Sequence, residues 1–416
     1  MGATDLTTMK GLDGLRGKTL LIFDDGLATR DGHWLEYDKT LAAIHAELGV
    51  KTTIVCDRAF AHAAELEAMG VTVLPLVSQS PWRDFVAGRA PNVPWRALTL
   101  GWHFRKALGR ALGDQAYDCV LMPATMSPQV MAWCLMPERL RRRAARVVFA
   151  TWVSFASYRD GEPRFARRLI HWKAIGWWLR GQFASGKLAF RTDSARLAKE
   201  YRVLGGIPAS PMASPVAVTE AARPPRDPAA PVCFGSLGPA RMEKGIDLLQ
   251  AAVEQVLAAD HDHRARFIIQ WNRAVPDGAG GELAPSPALL ADPRVRLITQ
   301  SLSSAEYQAL LGEIDCMVMP YRRSAYYSRG SAVVVEAACA AMPVIHTADS
   351  WLSTFIAEQG AGPAVADGDA DALAAAMLDV ASRFGEYRDQ AVARSAIALE
   401  MNSAESFVRA LWGIDA

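Results

Sequence analysis

Short apolar, β-branched runs alternate with helix-compatible stretches along most of this 416-residue chain. TLLIFDD (19–25), TTIVCD (52–57), VTVLPL (71–76), CVLMPA (119–124), RVVFATWV (146–153) and KLAFRTDS (187–194) read as strands, separated by helical patterns such as DGHWLEYDKTLAAIHAELG. This order predicts a doubly wound α/β domain with a parallel sheet. A second set starts at PVCFGSLG (231–238) and runs through ARFIIQWN (265–272), VRLITQ (295–300), DCMVMPY (315–321) and MPVIHT (342–347), with helices beginning near Gly245, Ser303, Gly330 and Asp369. Between the sets, GGIPASPMASP and ARPPRDPAAP are too rich in proline for a helix or a central strand. The expected organisation is therefore a Rossmann-like domain over 1–210, a linker over 211–230 and a second such domain over 231–395. A C-terminal helix over 396–416 is expected to cross back to the first domain. Ligands of such sheets sit at the carboxyl ends of the strands, so the two domains are expected to face a cleft.

Composition narrows the class. With 51% hydrophobic and 21% charged residues the chain reads as a soluble globular protein long enough for two full cores. Net charge is only +1, but residues 1–222 hold 29 Lys+Arg against 20 Asp+Glu, leaving 16 against 24 for 223–416. The basic first half predicts an anionic partner. Six cysteines are scattered singly, with no CxxC and no metal-ligand spacing, which fits a reducing compartment. No run approaches a membrane span, and MGATDLTTMKGLDG lacks a signal-peptide pattern, so a cytoplasmic location is expected.

Nine of the twelve tryptophans fall in the basic half. Several alternate with cations, as in WRALTLGWHFRK (95–106) and RFARRLIHWKAIGWWLRG (164–181). That composition suits helices resting on an anionic membrane, here the inner face of the plasma membrane. The alternative is that the tryptophans are core or line a sugar-stacking cleft, with the arginines a solvated face. RLRRRAAR (139–146) reads as a solvated helix end.

The stretch YRRSAYYSRGSAVVVEAACAAMPVI (321–345) places one carboxylate, Glu336, within an apolar helical run, where a lone charge is costly and needs a partner. Arg329, Gly330 and Ser331 precede that helix, whose free N–H groups favour an anion. A phosphate beside a carboxylate that holds sugar hydroxyls is one reading, and a structural Glu–Arg pair is the other. Earlier, GSLGPARMEKGIDLL follows a strand and opens a helix at Gly245, with Arg241 and Lys244 as cations suited to a diphosphate. His261, Asp262 and His263 offer no further ligand nearby, and DGDAD (367–371) reads as a helix N-cap, so no metal is expected.

In this order, GSLGPARMEKG, FIIQWN, VRLITQSLSSAEYQALLGEIDCMVMPY and SRGSAVVVEAACAAMPVI resemble the donor domain of GT-B glycosyltransferases, family 4 in particular, over roughly residues 231–385. The resemblance implies that Gly235 and Ser236 line the first loop, that Lys244 and Gly245 hold a donor diphosphate, and that Gln300, Ser301 and Leu302 meet the base. It also implies that Glu336, ahead of Pro343, Val344 and Ile345, holds the ribose. Ser328 stands where the family has a glutamate, and Ser236 where it has an arginine, so Arg241, Tyr326, Tyr327 and Arg329 are expected to compensate around Gly330 and Ser331. TWVSFASYRD lacks a histidine that many members carry. On the acceptor side, Asp24, Asp25, Asp31, Gly32 and His33 follow the first strand, His33 being either a base or an ordinary helix N-terminal residue. Lys244, Arg241, Glu336 and His33 form the expected catalytic set. The implied activity is retaining transfer of a sugar from a nucleotide-diphosphate donor to a carbohydrate or lipid-linked glycan. No cofactor, metal or nucleic acid is expected. A silent binding subunit or an epimerase-type enzyme are the alternatives.

Overall fold

The alternation resolves into two parallel sheets in a computed structural model that describes residues 11–29, 34–82, 93–159, 161–164, 169–213, 215, 227, 229–276 and 280–414. The chain divides into two units, Met1–Pro215 with Ala404–Ala416, and Val216–Ser403.

In the first unit, strands β1 (Thr19–Phe23), β2 (Lys51–Asp57), β3 (Thr72–Val77), β4 (Tyr117–Met122), β5 (Ala144–Thr151), β8 (Leu188–Thr192) and β9 (Ala209–Pro211) form one sheet in the order β3-β2-β1-β4-β5-β8-β9. A short antiparallel hairpin, β6 (Ser157–Arg159) with β7 (Glu162–Arg164), lies between β5 and β8 in sequence. Side chains alternate across the pleat, so Leu21 and Phe23 enter one core and Leu20 and Ile22 the other. The first core is covered by helices α3 (Pro94–Asp114), α4 (Ser127–Cys134), α6 (Ile170–Ala184) and α7 (Ala195–Gly205). The second is covered by α1 (Trp34–Glu47), α2 (Ala63–Glu67) and the chain's last helix, Ala404–Trp412.

Pro211, the first residue of the stretch expected to be linker, is instead the last residue of an edge strand, β9. An edge tolerates proline because one side of the strand has no ladder to complete. The arginine run is a solvated helix end in its first part, where α5 (Glu138–Arg141) stops with Arg139 and Arg142 exposed; beyond it, Arg143 donates to the Gly113 carbonyl at 2.7 Å, closing α3, and Arg146 donates to the Leu411 carbonyl at 2.8 Å, closing the last helix.

In the second unit, β10 (Val232–Ser236), β11 (Ala265–Gln270), β14 (Val295–Ile298), β15 (Cys316–Met319), β16 (Val344–Thr347) and β17 (Ala364–Val365) are ordered β14-β11-β10-β15-β16-β17, with a small β12–β13 hairpin (Val275–Pro276, Glu282–Leu283) beside them. Helices α8 (Ile246–Ala259), α9 (Pro287–Ala291) and α14 (Ala370–Ser382) pack on one face. On the other lie α10 (Ser304–Glu313), α11 (Arg323–Tyr326), α12 (Ala332–Cys339) and α13 (Trp351–Gln359), with Ala398 of α15 (Phe384–Met401) closing that core. The chain ends in α16 (Ala404–Trp412), whose Phe407, Val408 and Leu411 are fully buried in the first unit. The strand order reverses beside β10, whose partners are β11 and β15, and the carboxyl ends of strands at such a switch point are where sheets of this kind take ligands.

Candidate active site

The two loops at that switch point bring the cations together. After β10 the chain passes through a single 3-10 turn, Met242–Lys244, and reaches Gly245, whose φ of 68° is left-handed. A Cβ there would stand 2.0 Å from the Pro320 carbonyl oxygen, so only glycine lets the head of α8 meet the loop after β15. Lys244 is half-buried and its ammonium group lies against Gly238, where a Cβ would be 2.4 Å from Nζ, and 5.5 Å from the Tyr321 ring. Burial, with Arg241 and Arg329 nearby, pulls Lys244 down to about 7. Glu243 is the counter-charge: its Oε1 accepts from Arg329 at 2.8 Å and from Arg241 at 3.2 Å. Burial works to raise that carboxyl, but the two arginines outweigh it and hold it below its usual range.

Arg329 also lies 4.2 Å over the Tyr326 ring, which packs on Tyr321 at 4.5 Å. Ser328 is 1% exposed, turned inward, and Arg329 beside it reaches Glu243. Tyr327 is half-buried, with Arg323 5.5 Å from its ring. Ser331 is the N-cap of α12, but its side chain bonds Tyr321 rather than the helix N–H groups, and the first turn of α12 has no acidic residue. Gly235 is buried, and a Cβ there would meet the Ile314 side chain at 2.2 Å, so this glycine serves strand packing, while Ser236 is partly exposed at the strand end. Gln270, at the end of β11, accepts from the Gly238 N–H at 2.7 Å and steadies the glycine turn. Gln300 and Ser301 are exposed in the loop after β14, and Leu302 packs on the core.

Glu336 is not enclosed all round, because Ala332 is exposed and Glu336 itself is half-buried. Its partner is not an arginine but Tyr307 of α10, whose hydroxyl donates to Oε2. Desolvation pushes the Glu336 carboxyl up to about 7, and the Tyr307 hydrogen bond only partly opposes this. The sequence reading missed Glu243, Gln270, Tyr307 and Tyr321. Glu243 alone had a signal, its place inside the MEKG turn.

In the first unit, Asp24 and Asp25 close β1 at its own switch point, between β2 and β4. Asp25 is buried and accepts from Gln129 Nε2 at 2.6 Å and from Ser80 Oγ at 3.0 Å; burial still raises it to about 7. Asp24 accepts from the Gly26 N–H at 2.8 Å and rises to about 8 through burial and the neighbouring Asp25. Asp38, raised well above the usual carboxylate range by burial and by the neighbouring Asp24, is 0% exposed, and neither of its carboxyl oxygens has a hydrogen-bond partner among the described residues. Above these carboxyls Trp34 packs on Trp82 and Trp152 at 5.2 and 5.7 Å. Asp31, Gly32 and His33 lie outside the described residues. His263 sits in a left-handed turn with φ 51°, Asp369 caps α14 by accepting from the Ala372 N–H, and no group of potential metal ligands occurs among the described residues.

Solved structures share this architecture. A glycosyltransferase from Rickettsia africae matches with a TM-score of 0.60 at 13% identity, over 95% of this chain and 97% of its own. Anabaena HepE, solved with UDP and glucose, matches with a TM-score of 0.61 at 12% identity, over 95% and 98%. Sucrose-phosphate synthase from Thermosynechococcus elongatus matches with a TM-score of 0.59 at 17% identity, over 96% and 100%. Two Rossmann-like units of this kind, the second lined with cations at its switch point, make up the GT-B fold that these glycosyltransferase structures share. Residues 230–383, most of the second unit, match the family model Glycosyl transferases group 1. No curated protein matches it.

Proposed function

We propose that this enzyme moves a sugar from a nucleotide-diphosphate donor to a hydroxyl of a carbohydrate acceptor, with retention at the anomeric carbon. The observation that carries the reading is the set Arg241, Lys244 and Arg329 around the single carboxylate Glu243, at the heads of α8 and α12. Three cations with one counter-charge suit a diphosphate, whose developing charge they stabilise as it leaves. In this reading Glu336, held by the Tyr307 hydroxyl, accepts the ribose hydroxyls. The HepE structures with UDP and with UDP-glucose favour a nucleoside diphosphate as the ligand class.

In the reaction the bond from the anomeric carbon to the diphosphate breaks and a bond to the acceptor oxygen forms. The hydroxyl proton passes to the departing phosphate, so no separate base is required. Asp25, with His33, Asp31 and Gly32 nearby in sequence, belongs to the acceptor side in this reading. The cations supply the charge a metal would otherwise bring, so an added chelator is expected to leave the rate unchanged. We take the acceptor to be a surface polysaccharide or glycolipid precursor, carried at the inner face of a membrane, because the first unit is basic and rich in exposed tryptophan. A thermal-shift screen of UDP, GDP, ADP and their sugars tests the donor reading. One of them should raise the melting temperature of the wild type and not of Lys244→Ala, since a bound ligand stabilises by mass action. No response to any nucleotide would overturn it.

A further inference from the structure

Helices α3 and α6 each carry two apolar stripes where a surface helix needs one. On α3 the buried stripe is Ala97, Leu100, Phe104, Leu108 and Ala111. The outer side carries Trp95, Leu98 and Trp102, at 72%, 48% and 48% exposure, followed by Arg105 and Lys106. On α6 the buried stripe is Trp172, Ile175, Leu179 and Phe183, and the outer side carries Ile170, Trp177 and Trp178, the last two at 68% and 57% exposure. Single exposed apolar residues need no explanation, but four tryptophans with a leucine and an isoleucine on two helices do. Both helices cover the same core and pack on α4, so they belong to one layer of the first unit.

We propose that the outer faces of α3 and α6 form a docking surface for an anionic lipid bilayer. Charge selects this occupant over a protein partner of mixed polarity. Helix α3 has Arg96, Arg105, Lys106 and Arg110 against Asp114 alone, and α6 has Lys173 and Arg180 with no acid. The cations sit on the rings themselves: the Arg105 guanidinium is 4.6 Å from the Trp102 centroid, and Arg180 is 4.7 Å from Trp177. Indole at headgroup level beside a cation is the interfacial arrangement of proteins that rest on a membrane, and the attraction is to anionic lipid. Beside α3, a groove of about 260 Å³ sets Arg105, Lys106 and Arg110 around Met136, Pro137 and Leu140, basic walls over an apolar floor that suit a lipid phosphate. No described helix is long and apolar enough to cross a membrane, so contact is peripheral.

This inference deepens the reading of a membrane-borne acceptor, and vesicle binding without donor or acceptor tests it separately from transfer. The full chain is sedimented with vesicles of phosphatidylcholine alone and of phosphatidylcholine mixed with phosphatidylglycerol, which carries the negative surface potential that attracts basic segments. Binding should occur only to the anionic vesicles, fall severalfold when salt is raised, and be accompanied by a blue shift of tryptophan fluorescence. Trp177→Ser with Trp178→Ser, and separately Arg105→Glu with Lys106→Glu, should each weaken binding about tenfold or more at an unchanged melting temperature. Two outcomes would overturn the proposal: equal sedimentation with both vesicle types, or lipid-independent self-association that the tryptophan changes abolish, which would make the face a contact between copies. Vesicle binding without transfer to any membrane-borne glycan would keep the docking surface and defeat the acceptor reading.

Discussion

Donor binding should take up protons above neutral pH and release them below it. In the free enzyme Lys244 is held near 7 by burial and its arginine neighbours, and Glu336 is raised to about 7 by desolvation. A diphosphate beside Lys244 favours the ammonium form, while ribose hydroxyls donated to Glu336 favour the carboxylate. At pH 7.5 a lysine of pKa 7 is about one-quarter protonated, so completing it takes up about three-quarters of a proton; Glu336 gives up about one-quarter, for a net uptake of about half. At pH 8.5 the net uptake approaches about one, and at pH 6 the sign reverses to a release of about 0.8. A nucleotide-sugar is the right ligand because its diphosphate diester has no proton to lose in this range. Calorimetric titration in buffers of differing ionisation enthalpy gives the proton count as a slope. Lys244→Met should abolish the uptake, leave the release and weaken binding by about 1.5–3 kcal/mol, while Glu336→Gln should leave uptake at every pH. A count that keeps one sign from pH 6 to 8.5, or a slope unaltered in Lys244→Met, would refute the electrostatic account of the site.

Three further outcomes are expected. Gly245→Ala forces a Cβ against the Pro320 carbonyl at positive φ, and should cost about 2 kcal/mol or more in chemical denaturation and remove nucleotide binding. Asp24 and Asp25, at about 8 and 7, and Asp38, also raised, bind more protons folded than unfolded; the stability they contribute is present below about pH 4 and lost as pH rises toward 8. Asp38→Asn should therefore raise the melting temperature more at pH 8 than at pH 5, and an equal change at both would place the strain elsewhere. Phe407→Ala, emptying a fully buried site of α16 in the first unit, should cost about 3–5 kcal/mol by denaturant titration, and a loss below about 1 kcal/mol would mean that this helix does not close that core.

Both sheets were legible because the signals that specify them are short-range. A run such as TLLIF or VCFGS is apolar enough to be covered on both faces, and the turn chemistry that follows it, as at MEKG, is confined to a few neighbours. The N-cap role of Asp369 was legible for the same reason: a carboxylate and the N–H it accepts from lie three residues apart. The misread segments had a local reading that a distant partner overrides. Arginines 143 and 146 look solvated in sequence, but they close helices that end about 30 and 265 residues away. Pro211 looks like a linker residue until the sheet edge supplies a strand that asks nothing of its missing N–H.

The site shows the same division with a chemical consequence. That Glu336 needed a partner follows from its apolar neighbours, but the partner's identity does not, because Tyr307 is 29 residues away on a helix whose pattern marks no special position. The identity matters. A tyrosine hydroxyl donates one hydrogen bond and brings no charge, so it leaves Glu336 raised and able to titrate, whereas an arginine would have held it ionised and occupied both oxygens. Arg329 took the opposite course, 86 residues from Glu243, and depresses that carboxyl instead. Fold separates the two glutamates into a fixed anion that braces the arginines and a titratable one held by a single neutral hydroxyl, and this division of labour leaves one carboxyl of the pair responsive near neutral pH.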